Sequence, residues 1–185
     1  TLEEAADLVE PGMTLGLGGK TIHRAPMAFV RALARRSVEG VNAIGLAKSM
    51  DVDLLCGTGG LDRVYYGYVG FEWLGLAPNF RRAAESGRVT PVEGSCYTVA
   101  TMFRGAAQGV PFMPVAGMDG SDLPDAVAEP LESIACPYTG EAILTVPTVR
   151  PDVGVVHAVA ADRHGNAVLA GGDLPEGLVA RASRR

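Results

Sequence analysis

A chain of 185 residues is one domain's length with enough material for a core, and 48% apolar against 20% charged residues excludes intrinsic disorder. The balance of 16 Lys and Arg against 21 Asp and Glu gives a net charge of −5, so there is no chain-wide footprint for nucleic acid. The 24 glycines exceed the usual ~7% share and carry no collagen period, which points to turns or to backbone brought close to a ligand. No apolar run approaches the ~18 residues of a membrane span and the start lacks a signal-peptide layout, so the chain reads as cytoplasmic with no membrane contact. Cys56, Cys96 and Cys136 contain no CxxC pair, so neither a disulfide framework nor a metal site is expected.

In chain order, residues 1–9 read as a helix whose Thr1-x-x-Glu4 can form a capping box, ended by Pro11-Gly12. Residues 13–19 read as a buried strand entering a glycine turn, and 25–36 as a helix with Met27, Phe29, Val30 and Leu33 inward. Apolar runs at 41–47 and 52–56 read as strands, the second passing into Gly57-Thr58-Gly59-Gly60, and a further strand is expected at 64–68. A helix over 79–86 closes at Gly87, a strand at 89–92 enters Glu93-Gly94-Ser95, and a helix runs to Gln108 and stops at Gly109. Residues 114–140, rich in proline, read as a long irregular excursion. Strands at 142–146, 153–159 and 167–169 and a closing helix from Leu174 complete the chain. Strands alternating with helices predict an α/β domain with a mainly parallel sheet covered by helices on both faces. Ligands in such sheets sit at the carboxyl ends of the strands, where the glycine loops are expected.

Neither Gly16-Leu17-Gly18-Gly19-Lys20-Thr21 nor Gly57-Thr58-Gly59-Gly60-Leu61-Asp62 fits G-x-G-x-x-G, and the P-loop frame around Lys20 fails on spacing. What remains is a strand-to-helix glycine turn followed by Lys20, His23 and Arg24, whose N–H groups and cations can converge on a phosphate or carboxylate. Equally compatible with the residues is a plain turn on a solvated loop. Glu93 stands at a strand's carboxyl end before a helix, where a carboxylate either caps the helix or orients a water. Cys96 reads as a packing residue, His157 as a core or strand-edge histidine, His164 as exposed on a turn. Trp73 is assigned to core, subunit interface or acyl pocket.

The segment 10–26 resembles the first signature of family I CoA-transferase α subunits. Gly12, Gly18, Gly19 and Pro26 match at the right spacing, whereas Pro11, Lys20 and Arg24 replace the signature's acidic residue, Phe and Gly. The resemblance, of the glutaconate-transferase type, continues through Tyr68-Val69-Gly70, residues 109–114, Pro137-Tyr138-Thr139-Gly140 and residues 151–157 up to Gly165-Asn166. It implies one CoA-transferase-like α/β domain over 1–185, expected to continue past both ends. It implies a β-subunit partner, in a heterodimer or α2β2 assembly, that carries a nucleophilic glutamate for ping-pong exchange of coenzyme A between an acyl-CoA and an organic acid. Glu85-Ser86-Gly87 is the nearest match to that glutamate's motif here, but its glycine is explained as a helix cap. Related steroid-ring-degrading members act as CoA-thioester hydrolases with an α-chain glutamate, and Glu93 matches that position. On this resemblance Glu93 is the candidate catalytic residue, with Gly18, Gly19, Lys20, His23, Arg24 and Tyr68 binding coenzyme A or the acid, and no metal. Two other readings stand beside transfer: hydrolysis or ring opening of an acyl-CoA, and a non-catalytic anion-sensing α/β domain.

Overall fold

Thr1 begins the first helix as its spacing predicts: its hydroxyl accepts the Glu4 N–H while the Glu4 side chain reaches back to Thr1, a complete capping box over α1 (Leu2–Asp7). The computed structural model describes residues 1–116, 118, 120–127, 131–171 and 175–185. After α1 come β1 (Thr14–Leu17), α2 (Met27–Arg35), β2 (Val41–Lys48), α3 (Met50–Gly57), β3 (Leu61–Val69) and a 3₁₀ turn at Glu72–Leu74. Then follow α4 (Pro78–Glu85), β4 (Thr90–Glu93) and α5 (Cys96–Gln108), which Gly109 ends in the left-handed region at φ +74°. The second half holds β5 (Phe112–Pro114), α6 (Leu123–Ala126), β6 (Ser133–Ala135), β7 (Ala142–Pro147), β8 (Val153–Val155), β9 (Ala160–Ala161), β10 (Ala167–Val168) and α7 (Glu176–Ala182).

Five strands form a parallel sheet in the order β4-β3-β2-β1-β8. Its strands are apolar on both sides, as a sheet covered on both faces requires. On one face Leu15, Leu17, Ala43 and Val64 pack with Phe29, Val30 and Leu33 of α2, Leu55 of α3 and Phe80 of α4. On the other, Ile44 packs with Val99, Met102 and Phe103 of α5, Val146 of β7 and Val179 of α7. Each fully buried side chain of this size contributes about 1.5–3 kcal/mol.

Four expectations change. The run 52–56 is helical: Asp51 and Asp53 stand in the first turn of α3, and Asp53 accepts N–H bonds from Asn79 and Phe80 at 2.7 and 3.0 Å, capping α4. Gly57–Gly60 therefore leads into the start of β3, at the opposite edge of the sheet from Gly18-Gly19. The run at 142–146 lies outside the main sheet, as the central strand of an antiparallel β5-β7-β6 sheet that also gives order to part of the 114–140 excursion. The strand expected over 153–159 ends at Val155, and Ala160–Ala161 pairs instead with the predicted short strand near 167. Leu174, the expected start of the last helix, and Pro130 lie outside the described residues.

Candidate functional site

At the carboxyl edge of the parallel sheet, the chain leaves β1 into a turn held on several sides. Gly18 N–H donates to Val155 O at 2.9 Å, and Thr21 N–H to Ala47 O at 2.8 Å. Gly19 has φ +80°, and a Cβ there would lie 2.6 Å from Arg24 O, so only glycine fits without moving backbone. Lys20 and His23 form a two-way backbone bridge, at 2.9 and 2.8 Å, that leaves both side chains exposed. Thr21 and Arg24 also have positive φ, at +49° and +54°, conformations that cost non-glycine residues about 1–3 kcal/mol each and persist only under surrounding constraints.

Those constraints are visible. Thr21 Oγ1 donates to Glu72, itself at φ +56°, and Glu72 N–H donates to the Tyr68 hydroxyl at 3.0 Å. The turn after β1 and the loop after β3 are thereby tied together, and the hydroxyl of Tyr68 serves that loop. Arg24, expected to hold a ligand anion, pairs with Glu176 at 2.6 Å, the two side chains 19% and 1% exposed, and also donates to Ala170 O. Withdrawing it would take the facing charge from a buried carboxylate.

Beneath the turn lies a residue that the sequence pattern does not single out. The Lys48 ammonium donates to the carbonyls of Gly18, Gly19 and Leu17 at 2.6, 3.3 and 3.4 Å. Asp51 Oδ2 faces it as counter-ion at 2.9 Å, and both side chains are 0% exposed. Asp51 Oδ1 is fixed by the N–H groups of Ser49 and Val52, each at 2.9 Å. The signal available in the sequence was a lysine ending a buried apolar run three residues after Gly45: a Cβ on Gly45 would lie 2.2 Å from Lys48 Cδ.

At the end of β4, Ser95 caps α5 through a capping box with Thr98, so Glu93 is not the cap. Its carboxylate is exposed and accepts a long 3.5 Å contact from the Tyr66 hydroxyl. Burial, and then the negative charge of Glu93, push the Tyr66 phenol up to about 12. Glu93, Gly94, Thr98 and Met102 line a cavity of about 100 Å³. A neighbouring cavity of about 240 Å³ is lined by Lys20, Leu46, Ala47, Cys96 and Pro175. Gly67 lets the start of α5 come this close, since a Cβ there would meet Cys96 N at 2.3 Å.

Cys96 is exposed rather than packed. His157 and His164 are exposed, and Trp73 is 77% exposed, which removes it from the core. Glu85 pairs with Arg81 at the end of α4, on the far edge of the sheet. No helix among the described residues is long and apolar enough to cross a membrane.

The family model described as Coenzyme A transferase matches residues 1–182. The chain is 33% identical over 178 residues to the IpdA component of the cholesterol ring-cleaving hydrolase of Mycobacterium tuberculosis, covering 93% of this chain and 61% of that protein. It is 35% identical over 175 residues to one of the chains of the 3-oxoadipate CoA-transferase of Pseudomonas knackmussii, covering 92% and 61%. Among solved structures it superposes on the decarboxylase AibA/AibB with a TM-score of 0.90 at 32% identity, over 100% of this chain and 71% of that one. Glutaconate coenzyme A-transferase from Acidaminococcus fermentans gives a TM-score of 0.88 at 28% identity, over 100% and 63%. The chain thus spans about three fifths of the length of the curated relatives named. With matches of this extent across the sheet, the glycine turn and the Glu93 corner, the chain belongs to the coenzyme A transferase family.

Proposed function

We propose that this chain is the α-type part of a two-subunit, cytoplasmic CoA-transferase that moves coenzyme A between an acyl-CoA and a carboxylic acid. The observation that carries this reading is the turn at Gly18–His23, braced under backbone strain at the carboxyl edge, with the side chains of Lys20 and His23 exposed and Lys20 lining a cavity. Lys20 and His23 hold anionic groups of coenzyme A or the acid, Gly18 and Gly19 allow close approach, and Arg24 and Tyr68 act as struts. The partner subunit supplies the nucleophilic carboxylate. It attacks the thioester carbonyl and expels the CoA thiolate, giving a mixed anhydride. The thiolate then attacks the glutamyl carbonyl and releases the first acid, and the second acid reverses the sequence. Exposed Trp73, Leu74 and Leu76 on the loop after β3 form part of the face that meets this partner.

A second reading, hydrolysis of an acyl-CoA, is favoured by one observation: Glu93 is exposed, lines a cavity and is relieved of capping by Ser95. There Glu93 takes a proton from water as the oxygen attacks the thioester carbon, the C–S bond breaks, and the thiolate leaves.

Co-expression with the adjacent gene's product, followed by assay of acyl-CoA with and without an acceptor acid, separates the readings. The acceptor's acyl-CoA indicates transfer, and free CoA formed in water alone indicates hydrolysis. Absence of both a co-purifying partner and turnover removes both, leaving the anion-sensing domain. Under the hydrolytic reading, Glu93→Gln abolishes turnover while the two chains still co-purify; an active variant removes Glu93 from the chemistry.

A further inference from the structure

We propose that Lys48, with Asp51 as its counter-ion, is a positioning residue that sets the peptide orientation of the Gly18–Gly19 turn; the proposal rests on the acyl-CoA reading of that turn. An ammonium has three N–H donors, and here three successive carbonyls, Leu17, Gly18 and Gly19, meet one nitrogen. Successive carbonyls of a strand point to opposite sides, toward its two neighbours, so this convergence requires the chain to leave strand geometry, which Gly19 does at φ +80°.

The peptide plane carries the consequence outward. In a trans peptide the N–H points opposite to the C=O, so carbonyls of Gly18 and Gly19 drawn to Lys48 turn the N–H groups of Gly19 and Lys20 away from it. The Lys20 N–H then closes the bridge to His23 O at 2.9 Å. One buried cation thus helps to set the orientation of the turn's amides and, through the bridge, the projection of Lys20 and His23. Lys48 is 0% exposed, so it acts through the turn above it.

Stability alone does not explain the arrangement. A buried ion pair is often no better than apolar residues of similar volume, because desolvation offsets the attraction. Here the chain also gives up a side chain at Gly45 to admit the lysine stem and fixes Asp51 by two backbone N–H groups.

The experiment uses the complex with the partner subunit. Lys48→Met and Asp51→Asn each lower the melting temperature by leaving one charge buried alone, and the double variant recovers most of that loss. Asn keeps the acceptor for Ser49 and Val52. If Lys48 positions the turn, kcat/KM of the folded double variant stays about 100-fold down, the scale of a ~1 Å misplacement in a reacting site. A double variant within about threefold of wild type, a difference below ~1 kcal/mol, makes the pair merely structural and overturns the proposal.

Gly45→Ala, which displaces the lysine stem with both charges retained, tests the same point if the double variant does not fold. About tenfold loss of kcat/KM is expected, and an unchanged value overturns the proposal. Wild-type complex inert toward every thioester offered removes the acyl-CoA reading, and this proposal with it. That result is distinct from an active wild type whose double variant is equally active.

Discussion

The turn after β1 and the corner after β4 lie on the same edge of one sheet and are built in opposite ways. Residues 18–24 are tied to β8, to β2, to the loop after β3, to α7 and to a buried ammonium, and they carry two non-glycine residues at positive φ. Residues 93–95 follow ordinary strand-to-helix geometry under one capping box and the Gly94 N–H bond to Tyr66 O, and among the described residues the Glu93 carboxylate has one long hydrogen bond, from Tyr66. The packing of residues 18–24 around backbone strain fixes the shape of the turn, because strain persists only where its surroundings enforce it. The open corner offers an exposed carboxylate that lines a cavity.

A pair of glycine substitutions should split these regions most. Gly19→Ala places a Cβ at φ +80° and 2.6 Å from a backbone oxygen, which should destabilise by about 3 kcal/mol or more. At Gly94 the nearest atom to an added Cβ is the Thr98 hydroxyl, at 2.7 Å. That side chain can rotate away at the cost of its capping bond, about 1 kcal/mol. Urea denaturation of both variants measures the gap; equal losses would mean that the turn is no more constrained than the corner.

The next largest effect concerns Arg24. Arg24→Leu takes the facing guanidinium from the buried carboxylate of Glu176 and should destabilise by about 2–3 kcal/mol, below the full range for an interior pair because Arg24 is partly exposed. Glu93→Gln, by contrast, should shift stability by less than about 0.5 kcal/mol, as expected for an exposed group. If Arg24→Leu keeps wild-type stability and loses only affinity for coenzyme A, then Arg24 is a ligand as the sequence first suggested.

What was legible in the sequence follows the same division. The strands that build the sheet are apolar runs of the right length, and α5 announces itself through its entry at Glu93-Gly94-Ser95 and its stop at Gly109, so the edge and its Glu93 corner could be placed from local pattern alone. The braced turn could not. Arg24 finds its carboxylate 152 residues away, and nothing local distinguishes it from a solvated cation such as Lys20. Lys48 resembles the polar end of a strand because the sign of its burial, a missing Cβ at Gly45, is a contact rather than a pattern. The run 52–56 imitates a strand for a related reason: α3 buries Asp51, Val52, Asp53, Leu55 and Cys56, leaving no polar stripe to reveal a helical period. Its acidic first turn was the surviving signal. The small antiparallel sheet was hidden because its central strand is as apolar as a parallel one.

The smallest expected effect sharpens the Glu93 corner. The Tyr66 phenol is raised from 10.0 to about 12 by burial first, then by the charge of Glu93 and the contact between them. The folded state therefore holds this proton more tightly than the unfolded chain. The stability linked to it is fully present below pH 10, declines as pH rises, and is lost on passing through about 12. The ultraviolet phenolate titration of wild type minus that of Tyr66→Phe isolates this group. Glu93→Gln should lower its midpoint yet leave it above 10, because burial, the larger cause, remains. A midpoint unmoved by Glu93→Gln would show that the carboxylate points away from Tyr66 in solution, leaving it unrestrained at the mouth of the cavity.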